Sequence, residues 1–282
     1  MSALYVVATP IGNLDDLSAR VISTLKKVDL ITAEDTRRTG LLLKHLGIER
    51  PMVSVHDHNE KQQTLDLIGR IKSGADIALV SDAGTPLISD PGFHLVKQCH
   101  VESIPVIPIA GPSAVTAALS AAGIATDRFS FEGFVPAKNK ARLQFYQKLA
   151  NESRTQVFFE APHRIELSLQ ALEDAVGGAR QLSICRELTK AFEQIVQGTV
   201  VELRQALDSG EIPQKGEFVL VLARAERSFD ADTDRLLLAL LPELSPSKAA
   251  AIAARLTSEP KSQLYDRALE LKLLLECNLT WR

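Results

Sequence analysis

Ser81-Asp82-Ala83-Gly84-Thr85-Pro86-Leu87-Ile88-Ser89-Asp90-Pro91-Gly92 is the stretch on which the reading of this chain turns. It follows Ile77-Ala78-Leu79-Val80, a continuous apolar run that reads as a buried strand. It precedes Phe93 to Cys99, which reads as a helix, with Asp90 expected as its cap and Pro91 as its first residue. A long loop leaving the carboxyl end of a strand is where open α/β sheets bind ligands. Gly84 lets a ligand approach the backbone, and Asp82 supplies a carboxylate beside it. The same residues also suit an ordinary turn, so the rest of the chain must weigh between the two.

Upstream, Ala3 to Ala8 reads as a strand, Thr9 to Leu14 as a turn and Asp15 to Lys27 as a helix. Val28 to Ala33 is strand again, followed by Glu34-Asp35-Thr36-Arg37-Arg38-Thr39 and a helix through Leu46. Met52 to Val55 is a third strand, and His56-Asp57-His58-Asn59-Glu60 leads into a helix ending at Lys72. Downstream, Ile104 to Ile109 is a fifth strand made awkward by Pro105 and Pro108, and Gly111-Pro112-Ser113-Ala114 opens an Ala-rich helix. Strands alternating with helices predict a largely parallel α/β sheet, with each polar cluster just beyond a strand.

A second α/β unit begins near Asp127, with strands at Phe129 to Phe134, Gln156 to Glu160, Leu182 to Arg186, Gln194 to Gln197 and Phe218 to Ala223. Glu226 to Thr233 is polar and reads as a linker. Beyond it come helical patterns at Asp234 to Leu241, Pro246 to Leu256 and Pro260 to Leu275, the last two joined like a helix-turn-helix around Thr257-Ser258-Glu259. The final stretch from Leu273 to Arg282 fits the charged helix before it poorly and reads as an appended end without assigned function. The expected fold class is therefore α/β, with two α/β domains and a small C-terminal helical region. The expected boundaries are 1–122, 123–225 and 226–282.

With 282 residues and 45% hydrophobic side chains, the chain can bury a core in each domain. A net charge of −3 supplies no global field toward nucleic acid or membrane. Three cysteines show neither metal spacing nor a disulfide framework, which suggests a reducing compartment. The N-terminus runs straight into a strand without a signal peptide, and no apolar run reaches membrane-spanning length, so the expected location is the cytoplasm.

Several chemistries fit poorly. Neither G-x-G-x-x-G nor G-x-x-x-x-G-K-[ST] is present at the first turn, which argues against a nucleotide-phosphate cradle. His56 and His58 have no third ligand beside them in sequence, so no metal is expected. A nucleophile elbow is absent. Several short loops with small residues, an aspartate and apolar walls remain. They suit a ligand with a flat ring and a zwitterionic tail without singling one out.

Taken in order, Thr9-Pro10-Ile11-Gly12-Asn13-Leu14, Ala33-Glu34-Asp35-Thr36-Arg37, His58-Asn59-Glu60, Ser81 to Gly92, Gly111-Pro112-Ser113-Ala114, Phe131 to Pro136 and Phe159-Glu160-Ala161-Pro162-His163-Arg164 resemble the tetrapyrrole-methylase superfamily. Within it, the set is most similar to the branch that methylates the ribose of a cytidine in small-subunit (16S) ribosomal RNA. The resemblance runs from Leu4 to Arg224; each motif alone is weak, and the ordered set is specific. It implies S-adenosylmethionine in a cleft between the two α/β domains, usually in a homodimer, with small-subunit RNA or the 30S subunit as partner and no membrane. By position it assigns Pro10, Asp82, Ala83, Gly84, Ile88, Ser113 and Ala114 to the cofactor from the first domain. Phe159, Glu160, Leu188 and Glu217 would join them from the second.

Removing a proton from a ribose hydroxyl calls for a base, or a cation beside the developing oxyanion. Asp35, His58, Glu60, Glu187 and Lys190 are the candidates, each of which also suits a structural hydrogen-bonding role. For RNA, three basic groups stand out: Arg37, Arg38, Lys44 and His45; Lys138, Lys140 and Arg142; and Lys248, Arg255, Lys261 and Arg267 on the C-terminal helices. Two other readings remain open, a small-molecule tetrapyrrole methylase of the same fold and a non-catalytic RNA-binding module.

Overall fold

The computed structural model describes residues 2–56, 58–225, 231–257 and 259–279. Asp57, residues 226–230 of the expected linker, Ser258 and the last three residues lie outside the described residues. The chain divides into two compact units, Met1–Ala225 and Glu226–Arg282.

The first half of the larger unit is a five-stranded parallel sheet. Its strands are β1 (Leu4–Val7), β2 (Leu30–Ala33), β3 (Met52–Ser54), β4 (Ile77–Val80) and β5 (Val106–Ile109), in the order β3-β2-β4-β1-β5. The central strands are apolar along their length because both faces are covered. Helices α1 (Ala19–Lys27) and α2 (Thr36–His45) bury Val21, Leu25 and Leu43 on one face. Helices α3 (Glu60–Lys72) and α4 (Phe93–Val101) bury Leu67, Ile68, Ile71, Leu95 and Cys99 on the other. Neighbouring strands β1 and β4 thus send their following helices to opposite faces, which opens a crevice above their carboxyl ends. Pro108 is tolerated because β5 is an edge strand.

Helix α5 (Ala114–Ala121) leads into the second half, whose sheet is mixed. Strands β6 (Phe129–Phe134), β7 (Thr155–Glu160), β8 (Gln181–Arg186), β9 (Gln194–Thr199) and β10 (Phe218–Leu222) lie in the order β6-β7-β10-β8-β9. Only β6 and β7 pair in parallel; the other three pairings are antiparallel. Helices α6 (Asn139–Leu149), α7 (Ile165–Val176) and α8 (Val200–Asp208) cover one face around Tyr146, Leu169, Leu203 and Phe158. The other face packs on the first half. Val157, Cys185, Val219 and Val221 meet Ile11 of the first loop and Val115, Ala118 and Leu119 of α5.

Several sequence expectations change. The helix expected from Asp15 begins at Ala19, capped by the Ser18 side chain, after a short 3-10 turn at Leu14–Asp16. Helix α8 was not expected, because Val200 and Val201 are β-branched and read more readily as strand than as the start of a helix. Its signal was nonetheless present: Thr199 and Glu202 form a capping box.

In the smaller unit, α9 (Ala231–Leu240), α10 (Pro246–Leu256) and α11 (Lys261–Leu279) pack around Leu237, Ala249, Ala250, Ala253, Leu264 and Ala268. Arg267 of α11 grips Asp234 of α9 through Nε (2.9 Å) and Nη2 (2.5 Å) and also pairs with Glu270. It therefore serves this small core, which corrects its placement in an RNA-facing group.

Candidate functional site

The crevice is built by two loops that cross-brace each other. Thr9 donates to the Gly84 carbonyl (2.9 Å) and Gly84 returns a bond to the Thr9 carbonyl (3.0 Å), a one-residue antiparallel bridge. The Thr9 hydroxyl donates to the Ser81 carbonyl at 3.1 Å, and the Thr85 hydroxyl donates to Pro112 at 3.0 Å. Three loops leaving β1, β4 and β5 are thereby tied together. Gly84 sits at φ +83°, and a Cβ there would stand 3.2 Å from Ile11 Cγ2. Leu87 and Ser89 also have positive φ, at 71° and 67°, a concentration of strain that an ordinary turn does not need.

The end of this loop departs from the sequence expectation. Gly92, not Asp90, is the N-cap of α4, at φ +125°. A Cβ there would meet Leu79 Cδ2 at 2.7 Å, so only glycine fits. The cap function comes instead from Glu60, whose buried carboxylate accepts from Gly92 N (3.1 Å) and His94 N (2.6 Å). Glu60 is thus committed to the start of α4 and is removed from the candidate bases. Asp90, freed from capping, is half-buried near Glu34 and Asp82; burial first, then those two carboxylates, push its carboxyl up to about 6 against an opposing bond from Ser81.

Asp82 faces α2. Its Oδ1 accepts from Asp35 N at 2.9 Å, and its Oδ2 pairs with Arg38 Nη1 at 3.2 Å. Asp35 caps α2 by accepting from Arg37 N at 2.9 Å, and its carboxylate also takes the Arg37 side chain in a fork of 3.0 and 2.7 Å. Those bonds hold the Asp35 carboxyl well below the usual carboxylate range, which makes it a poor proton acceptor. His58 lies exposed in the turn before α3, its ring centroid 6.0 Å from that of His56. Around Asp82 and the first loop lies a cavity of about 280 Å³, bounded by Thr9, Pro10, Gly12 and Ser81 on one side and α2 on the other.

From the second half, Phe159 and Leu188 join Ile11 and Ala114 in the apolar layer between the sheets. Phe159 makes edge contacts with Phe131 and Phe134, at 4.9 and 5.2 Å. Glu160 departs from its assignment: alternate residues of β7 face opposite ways, so its side chain turns from this layer. There it accepts from Arg164 Nε (3.0 Å) and Ala161 N (2.7 Å), fully buried.

Lys190 spans the two halves. Its stem lies over Gly12, where a Cβ would collide with Lys190 Cγ. Its ammonium bonds Glu187 Oε1 (2.8 Å) and Glu217 Oε2 (3.0 Å). Burial opposes its charge, but those carboxylates outweigh burial and raise its pKa. The loop carrying it is strained, with Glu187 at φ 51° and Thr189 at φ 66°, and the Thr189 hydroxyl is buried without a partner among the described residues. Ile88 is 41% exposed within the crevice loop, and Ser113 precedes Ala114 at the start of α5.

Of the basic groups, Arg37 is 88% exposed at the start of α2. Lys138 and Lys140 are exposed around the start of α6. Arg142 is buried to 2% and cannot reach RNA. Sequence alone did not separate it from the two lysines, because helical phase decides which of three nearby cations turns inward.

Two sheets closing on a braced, strained crevice define a ligand-binding α/β enzyme class, and comparison with known proteins specifies it. Residues 3–204 match the family model described as Tetrapyrrole (Corrin/Porphyrin) Methylases, and residues 227–272 match one described as RsmI C-terminal HTH domain. The chain belongs to the tetrapyrrole methylase family. It is 48% identical over 272 residues to the Pseudomonas aeruginosa protein named Ribosomal RNA small subunit methyltransferase I, covering 95% of this chain and 96% of that one. A protein of the same name from Pasteurella multocida is also 48% identical, over 95% of this chain and 96% of its own. The Escherichia coli O157:H7 protein of that name is 47% identical over 95% and 94%. Among solved structures, uroporphyrin-III-C-methyltransferase from Thermus thermophilus matches with TM-score 0.56 and 17% identity, covering 79% of this chain and 95% of that one; this likeness concerns the fold alone.

Proposed function

We propose that the protein transfers a methyl group from S-adenosylmethionine to the ribose 2'-hydroxyl of a cytidine in small-subunit ribosomal RNA. The observation that carries the reading is 48% identity, across 95% of the chain and through the C-terminal helices, to proteins named for small-subunit ribosomal RNA methylation. The donor supplies an electrophilic methyl on a sulfonium, so the transfer asks the protein chiefly for alignment.

The crevice fits such a donor. Asp82 offers a carboxylate acceptor for the amino group of an amino-acid end, and Ala83 and Gly84, small and without long side chains, let it approach the loop. Pro10, Ile88, Ser113, Ala114, Phe159 and Leu188 offer small or apolar surface for a ring. The unpartnered, buried Thr189 hydroxyl is a polar group left for a ligand. Glu217 holds Lys190, and Glu160 serves the site only by fixing the start of the turn after β7 through Ala161 and Arg164. Of the candidate proton-handling groups, His58 keeps an exposed ring, and Lys190 keeps a fixed cation at the junction of the halves. Arg37, Lys138 and Lys140 stand exposed to hold phosphates, while Arg38 is engaged with Asp82.

We also propose that the protein works in the cytoplasm as a homodimer. The resemblance supports the dimer, and cysteines without a disulfide framework support a reducing compartment; among the described residues no helix is long and apolar enough to cross a membrane. The deciding experiment incubates the purified protein and labelled donor with small subunits from a strain lacking the modification, then maps the methylated nucleotide by mass spectrometry. Label on one cytidine ribose is expected; label on a tetrapyrrole and none on RNA overturns the reading.

A further inference from the structure

We propose that the 280 Å³ cavity between the first loop and α2 receives a single pyrimidine base of the RNA, and that the Asp82–Arg38 pair reads it as cytosine. The proposal rests on the RNA reading above and names the part of the substrate that this cavity takes.

Size comes first. Ligand pockets usually run from about 300 to 1,000 Å³, so this cavity suits one nucleoside-sized group and not a run of nucleotides. Lining comes second. Arg38, Leu41, Leu42 and His45 recur at the spacing that places them on one face of α2. Leu14 stands across from them on the first loop, 43% exposed, and Leu41 stands at 71%. Exposed aliphatic side chains on both sides of the cavity offer apolar surface to a flat ring.

The polar end supplies the discrimination. Asp82 is 18% exposed and fixed from behind by Asp35 N, and Arg38 lies beside it at 3.2 Å. A carboxylate acceptor thus stands next to a guanidinium donor. Cytosine presents the complement, an amine donor at N4 beside acceptors at N3 and O2, and carboxylate recognition of that amine is a known pairing. Uracil places a carbonyl where the carboxylate stands, so two acceptors would face each other. Each Asp82 oxygen carries one bond in the structure and retains a lone pair for another. Donor and acceptor of a methyl group must meet, so a residue bordering both sites is what the chemistry requires.

The test titrates full-length protein, saturated with S-adenosylhomocysteine, with 5'-CMP and 5'-UMP while following leucine methyl resonances by NMR. Shifts at Leu14, Leu41 and Leu42 with CMP, at least tenfold weaker with UMP, are expected, and Arg38→Met should remove the preference. Leu41→Asp, at an exposed position, should raise KM for small subunits at least tenfold while cofactor affinity changes less than twofold. No methyl shift at millimolar CMP, equal shifts with UMP, or an unchanged KM in Leu41→Asp overturns the proposal. Perturbation of the same leucines when S-adenosylhomocysteine alone is added to the free protein also overturns it, since the cavity would then belong to the cofactor. Methyl transfer by the unmodified protein is measured in parallel. Its absence overturns the RNA reading itself, whereas transfer without CMP binding overturns only the cytosine pocket.

Discussion

Asp90 carries the most unusual ionisation in the crevice loop. Its carboxyl is raised from 3.8 to about 6, by burial first and then by Glu34 and Asp82. Between those two values the folded chain binds more protons than the unfolded chain, so stability falls as pH rises through the window. Asp90→Asn should therefore flatten the dependence of stability on pH between about 4 and 6 and raise Tm at pH 7 by a few degrees. Parallel melting curves of the two proteins at pH 4 and pH 7 check this; an identical Tm difference at both excludes it. Gly84 makes the complementary case for backbone. Its φ of +83° and the Ile11 methyl 3.2 Å from a would-be Cβ leave no room for a branched side chain. Gly84→Val should weaken S-adenosylmethionine binding at least tenfold by calorimetry, and unchanged affinity would remove this loop from the cofactor site.

At the level of elements, α4 is held by a group from another helix. Its first turn carries no acidic side chain, and Gly92 has no side chain with which to cap. Glu60, from the start of α3, accepts two of the amide protons at its N-terminus across a separation of more than thirty residues. Glu60→Gln keeps the shape but gives up the charge and one acceptor, and it should cost about 1–3 kcal/mol in urea unfolding. A loss below a few tenths would show that the cap contributes little. The His58-Asn59-Glu60 motif was legible as a functional signature, but the job of its last member was not. Sequence locates a carboxylate, whereas the packing of α3 against α4 decides which amides it meets. The capping box of α8 shows the opposite case, a local signal sufficient in itself but masked by the β-branched residues that follow it.

For the whole molecule, a net charge of −3 means that RNA affinity must come from local clusters and not from a global field. Arg37 is 88% exposed, and its guanidinium is already oriented by Asp35. Arg37→Ala should lower the slope of log affinity for RNA against log salt by about 1, with cofactor affinity unchanged. Filter binding at several salt concentrations measures it, and an unaltered slope would show that Arg37 meets no phosphate. Burial of Arg142 and the Asp234 grip on Arg267 withdraw one member from each of the other two basic groups.

The order of apolar runs and polar loops, the awkwardness of the proline-bearing fifth strand and the ordered motif set follow from sequence alone, because strand and turn preferences and a family signature are written in neighbouring residues. Tertiary structure alone decided which loops brace one another, that Glu160 turns from the cleft while Phe159 enters it, and that Gly12 lies beneath Lys190. The physical reason is distance along the chain. Thr9 and Gly84 are joined because β1 and β4 are neighbours in the sheet, and strand order is settled by the packing of whole faces.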